Sequence, residues 1–247
     1  MKTFKSQIAA LALALGSTLT VGSSYAADTN PSVVIVHGAF ADGSDWAKVV
    51  PLLQAEGVAV TVVQNPLTSL ADDVAATQRA LNNQDGKVVL VGHSWGGTVI
   101  TEAGNDNKVS ALVYVAAFAP NAGQTSGEQG KGAPTPPGIS QLKTDSNGFI
   151  YLTPEGMASD FAQDLPAAQT AVMTATQGPI KASAFEDKVT AAAWKTKPSW
   201  YLLATQDRMI HPDVQRSSAK RIGANLSEVN TSPVSYTHLT LPTTPYV

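Results

Sequence analysis

Apolar residues in this chain cluster into short, unbroken runs separated by segments with helical spacing. Val33-Val34-Ile35-Val36 is one such run; residues 58–63, 88–91, 109–117 and 200–204 are others. They are rich in β-branched residues and do not alternate with polar ones, which predicts strands buried on both faces. Between them, residues 45–56 place Trp46, Val49, Val50 and Leu53 on one helical face. Pro51 lies inside that segment, where a kink is expected, and Gly57 is a plausible stop. Residues 69–82 read as a second helix, capped by Ser69, with Asp72 and Asp73 in its first turn. Residues 98–104 and 212–222 read as further helices, the latter opened by Pro212, and residues 226–230 as a last strand. Apolar strands alternating with helices predict an α/β fold, a mostly parallel sheet covered by helices on both faces.

The rhythm breaks at Pro120. Residues 120–148 are rich in Gly, Pro, Ser and Gln, while 154–177 and 182–194 look helical with no strand between them. An insertion spanning about 120–197 predicts a helical cap over the carboxyl edge of the sheet. Leu152, Met157, Phe161, Leu165, Val172, Met173, Phe185 and Trp194 would pack it.

At the N-terminus, Met1-Lys2-Thr3-Phe4-Lys5 precedes an apolar stretch and the small residues before Ala27. This is the pattern of a secretory signal peptide over residues 1–26, with cleavage after Ala26 and a secreted or periplasmic product. The apolar stretch is too short for a membrane anchor. The roughly 220 residues that follow fit one domain. The chain has no cysteine, which excludes disulfides and thiolate catalysis. A net charge of −3 with scattered Lys and Arg argues against a nucleic-acid partner. No metal-ligand spacing or phosphate loop is present, so no cofactor is expected and the partner is a small molecule.

The chemistry concentrates in Gly92-His93-Ser94-Trp95-Gly96-Gly97, directly after the run 88–91. Gly-x-Ser-x-Gly between a strand and a helix is a nucleophile elbow: the serine sits on a strained turn and its hydroxyl stands above the sheet edge. Ser94 needs donors where a carbonyl oxygen turns negative. The amide of Trp95 is one candidate; that of Ala39, after His37-Gly38, is the other. His37 and His93 read as structural. Asp207, at the end of the run 200–204, is the candidate acid; Asp213 is its rival, in a helix's first turn, where carboxylates are common. His238 and His211 are the histidines after Asp207. Chain order permits His238 as the base, whereas His211 lies close in sequence to Asp207.

These motifs resemble the α/β-hydrolase superfamily, in particular the small serine esterases related to plant methylesterases and hydroxynitrile lyases. The resemblance runs from about Pro31 to Asn230. It rests on His37-Gly38-Ala39, Asp45-Trp46, Pro51-Leu52-Leu53, the elbow and Asp207. It implies ester hydrolysis through an acyl-enzyme on Ser94. Lyases of that group usually carry threonine at the position of Gly38 and a lysine beside the catalytic histidine; this chain has neither.

The resemblance also implies a histidine just after the last strand and then a long closing helix. Here Thr231-Ser232 is followed by Pro233. Residues 233–247 are rich in Thr and Pro, show no helical period and resemble translated sequencing-adapter read-through. The hydrolase domain is therefore set at 27–232, residues 233–247 read as a non-native or disordered tail, and the closing helix is expected to be missing. On this reading the chain is a secreted serine esterase that lacks its general base. Alternatives are a hydroxynitrile-lyase-like or cofactor-free haloperoxidase-like enzyme, or a non-catalytic binding protein of the same fold.

Overall fold

A computed structural model describes residues 32–238. The expected leader at 1–26 and the last part of the tail lie outside the described residues.

The apolar runs form a six-stranded, wholly parallel sheet in the order β2-β1-β3-β4-β8-β9. Its strands are β1 (Ser32–Val36), β2 (Ala59–Val63), β3 (Val88–His93), β4 (Val109–Val115), β8 (Ser199–Ala204) and β9 (Asn225–Val229). All of β1 and β3 is buried, as continuous β-branched runs require when both faces are covered. The covering helices are α1 (Val49–Ala55), α2 (Leu70–Asn82), α3 (Trp95–Ala103), α4 (Ala167–Thr176) and α5 (Pro212–Arg221). Ser69 caps α2 by accepting the Asp72 amide, and Pro212 occupies the first turn of α5.

Two helical expectations are corrected. The segment 45–56 divides into a 3-10 turn, Gly43–Trp46, and α1. Pro51 falls in the first turn of α1, where an amide has no helical partner to lose, so it breaks nothing. The elbow helix α3 begins at Trp95 rather than at residue 98, because the turn at Ser94 leads straight into it.

The cap is mixed rather than helical. Strands β5 (Leu142–Thr144), β6 (Phe149–Leu152) and β7 (Ile180–Lys181) make a small antiparallel sheet. The β5–β6 hairpin turns at Asn147-Gly148, with Gly148 at φ +79° and Asp145 Oδ1 accepting the amides of Asn147 and Phe149. Asn-Gly is a strong hairpin signal. Within 154–177, a π turn at Met157–Phe161 and Pro166 interrupt the expected helix, leaving α4 as its regular part. Residues 182–194 hold 3-10 turns in place of a helix.

Past β9 the chain turns back toward His93 at the end of β3 and Trp46, and residues 232–237 are buried. The boundary expected at Pro233 thus falls inside a packed segment, ending in the turn Ser235–His238. Tyr236 drives this packing: its ring stacks on Trp46 at 4.2 Å and stands edge-on to His93 at 5.0 Å. Lys48 Nζ donates to the Thr237 carbonyl at 2.9 Å. Among the described residues no helix is long and apolar enough to cross a membrane.

Leu90 is wholly buried in β3, between β1 and β4. Leu90→Ala is expected to lower the unfolding free energy by about 2–5 kcal/mol in urea titration; a loss below about 1 kcal/mol would place the core elsewhere.

Candidate active site

Ser94 joins β3 to α3 with φ +52° and ψ −118°, a conformation that costs a non-glycine residue on the order of 1–3 kcal/mol. Hydrogen bonds hold it there. Its amide donates to Val115 O at 3.2 Å, and its carbonyl accepts from Gly97 N at 3.0 Å and Phe118 N at 3.1 Å. The glycines are steric necessities. A Cβ on Gly92 would lie 2.5 Å from Gly96 O, and one on Gly96 would lie 2.3 Å from Val36 O. The elbow is therefore wedged between its own helix and β1, and its serine opens onto a cavity.

That cavity measures about 430 Å³. Ser94 and Ala39 lie on its wall, with Phe40, Phe118, Phe161 and Phe185 around them. Ala39 is buried, in the loop after β1. Among the described residues, neither the Ala39 nor the Trp95 amide donates a hydrogen bond. Two unengaged amides beside a raised hydroxyl can receive a developing oxyanion.

His37 braces the Ala39 loop. Its Nε2 accepts the Asn65 amide at 3.0 Å, so Nδ1 carries the proton and donates to Gly38 O at 2.8 Å. Burial holds its pKa below the ordinary value, keeping the ring neutral. His93 is fully buried on the other side of the elbow; its Nε2 donates to Pro233 O at 3.2 Å, and burial lowers its pKa to about 3. Neither ring is available as a base for Ser94.

Asp207 follows β8 and is buried. Its Oδ1 accepts the amides of Met209 (2.7 Å) and Ile210 (2.8 Å), and its Oδ2 accepts Gln215 Nε2 at 2.7 Å. Burial raises its pKa to about 7, against the pull of these bonds. Among the side chains described, no imidazole meets this carboxylate. Asp213 is exposed, beside Arg216 at 3.0 Å. His211 lines the cavity while its Nδ1 caps α5 by accepting the Asp213 amide at 3.2 Å. His238 is described by its backbone alone, as the last residue of the final turn.

Two site residues escaped the sequence reading. Gln215 holds Asp207, and nothing in its spacing marks it. Asp73 looked like a helix-dipole residue, yet it is buried with its carboxylate on the Trp95 indole. A tryptophan placed directly after the elbow serine, with an indole proton needing an acceptor, was the available clue.

The profile of the alpha/beta hydrolase family matches residues 33–240. The chain belongs to this family. Among curated relatives, methylesterase 2 of Arabidopsis thaliana is 27% identical over 222 residues, covering 78% of this chain and 84% of that protein. Salicylic acid-binding protein 2 of Nicotiana tabacum is 35% identical over 103 residues, 36% of this chain and 40% of that protein. Among solved structures, polyneuridine aldehyde esterase superposes with a TM-score of 0.72 at 19% identity, covering 83% of this chain and 93% of that one. At that identity the likeness extends to the fold. Within the α/β-hydrolase fold, the elbow and Asp207 occupy carboxyl ends of parallel strands, where such sheets place their sites.

The Asp207 carboxyl titrates higher in the folded chain than the ordinary 3.8, at about 7. The folded state then binds a proton that the unfolded state releases, so this group's contribution to stability falls as pH rises from 3.8 toward 7. Denaturant titrations of the chain and of Asp207→Asn are expected to show the parent losing stability relative to the variant across that window. A difference independent of pH would contradict the assignment.

Proposed function

We propose that this alpha/beta hydrolase is an exported serine esterase acting on small carboxylic esters with an apolar acyl or alcohol group. The observation that carries the reading is the strained Ser94, facing a phenylalanine-walled cavity beside two unengaged amides. In acylation Ser94 Oγ bonds to the ester carbonyl carbon and the alcohol leaves with the proton. Water then cleaves the acyl-enzyme to release the acid. The amides of Ala39 and Trp95 stabilise the tetrahedral oxyanion. A cavity of about 430 Å³ suits a compact, largely apolar ligand. Hydrolysis is favoured over lyase chemistry at Gly38: a Cβ there would stand 2.8 Å from Ser94 Cβ, so this loop excludes a hydroxyl-bearing side chain as built. Residues 1–26 carry the export signal, which makes the mature protein secreted or periplasmic.

The base is the element this chain lacks. Asp207 is the acid that would orient an imidazole, and Pro233 stands where the resemblance to small serine esterases implies a histidine. The packing supports a foreign segment from Pro233 onward. Among the described residues, the buried polar atoms without a protein partner include Thr231 Oγ1, Ser232 Oγ, Ser235 Oγ and Tyr236 OH. Trp46 Nε1 and His93 Nδ1, on rings packed against Tyr236, are also unpartnered. A buried polar atom left with no partner costs about 1–3 kcal/mol, and a segment that matched its groove would supply partners from the chain itself. That no imidazole among the described side chains meets Asp207, whose oxygens are taken by two amides and Gln215, favours a second reading, a non-catalytic ligand-binding protein of this fold.

Turnover of p-nitrophenyl acetate separates the readings. The chain as written is expected to be nearly inactive. Pro233→His is expected to raise turnover by on the order of 10²-fold or more, the range of a positioned general base. His238→Ala is expected to change nothing. Robust turnover by the parent that His238→Ala abolishes would overturn the missing-base account. Activity absent from both the parent and Pro233→His would favour the binding protein.

A further inference from the structure

We infer that Asp73 is a positioning residue for the oxyanion hole, acting through the indole of Trp95; the inference rests on the hydrolase reading of Ser94. Asp73 sits in the first turn of α2, on a different element from the elbow. Its Oδ2 accepts the indole proton of Trp95 at 2.7 Å. Its Oδ1 accepts the Leu67 amide at 2.8 Å. Both Asp73 and Trp95 are wholly buried.

The arrangement demands a carboxylate. Two N–H donors approach two different oxygens, and only a carboxylate presents acceptors on both sides. An asparagine would turn its NH₂ toward one of the donors. Removing the group from water is costly, and the resulting upward pressure on its pKa is offset in part by these two bonds.

What the carboxylate holds explains why that cost is retained. Trp95 is the first residue of α3, so its indole and the amide offered to the oxyanion share one Cα. Fixing the ring fixes the orientation of that amide, and oxyanion donors tolerate only about 10–20° of misdirection. The far side of the indole meets Phe185 of the cap, edge-on at 5.4 Å. Leu67, the second donor, is a buried non-glycine residue at φ +58°. Its carbonyl accepts the Lys181 amide at 2.8 Å, tying the cap to the same loop. One buried carboxylate thus links the elbow to the strained loop that supports the cap.

The test uses the full chain and a pair of ligands. A phenylalkyl trifluoromethyl ketone adds to serine: the Oγ–C bond forms, the carbonyl π pair becomes an oxyanion, and the hydroxyl proton passes to solvent. The matching methyl ketone binds without adding. The ratio of the two dissociation constants reads the oxyanion hole apart from the apolar pocket. In Asp73→Asn and in Trp95→Phe this ratio is expected to fall about tenfold, a fraction of what deleting a donor costs. The methyl ketone constant is expected to stay within about twofold, and the double variant to be no worse than either single one. Trp95→Phe keeps the buried ring, so it tests the link should Asp73→Asn fold poorly. A ratio unchanged in folded variants would overturn the positioning role. Equal binding of both ketones by the full chain and also by its Pro233→His variant, in which the base is supplied, would overturn the hydrolase reading of Ser94, and the inference with it.

Discussion

The close contact between the elbow and the first strand is the constraint on which the rest of this molecule depends. The backbone of Ser94 is held left-handed, and the space around it is so small that a single methyl on Gly92 or Gly96 would overlap main-chain atoms. Strain of this kind persists only where its surroundings over-determine it. Here they include Val115, Gly97 and Phe118, each bonded to the serine main chain, and the carbonyl of Val36 directly beneath Gly96. The buried parallel strands form the rigid body against which the turn is wedged. Local strain, core packing and the exposure of one hydroxyl are therefore the same fact at three scales.

From that turn the remaining parts follow as supports. His37 spends both ring nitrogens on holding the loop that carries Ala39. Asp73 grips the tryptophan next to the serine. Asp207 stands past the end of β8, two strands along from β3, with its oxygens held by two amides and Gln215. On the proposed reading, these supports make up the acid and oxyanion sides of the site. The proposed base side differs: residues 231–236 fill their space by aromatic stacking but, among the described residues, leave several buried polar atoms without partners. Shape has been satisfied there and hydrogen bonding has not.

The parallel sheet was legible because each central strand is an unbroken apolar run, and burial on both faces permits nothing else. The elbow was legible because its glycines answer a steric demand that can be stated in advance. The cap was misread as helical. Its helix-like spacing at 154–177 is broken by Pro166 and a π turn, and the Asn147-Gly148 hairpin signal was passed over in a polar stretch. The packing of the tail was hidden as well: Tyr236 lies in a segment without period, and its partner Trp46 is far away in sequence. Gln215 and Asp73 show the limit most clearly. Each is an ordinary polar residue on a helix until the fold sets its side chain against a buried partner.

The most direct test of the central claim, that Ser94 is a prepared nucleophile waiting for its base, is the rate of fluorophosphonate labelling followed by peptide mass mapping. A single adduct is expected on the peptide containing Ser94, forming slowly in this chain and at least about tenfold faster once Pro233 is replaced by histidine. Adducts elsewhere, or equal rates in both proteins, would contradict it.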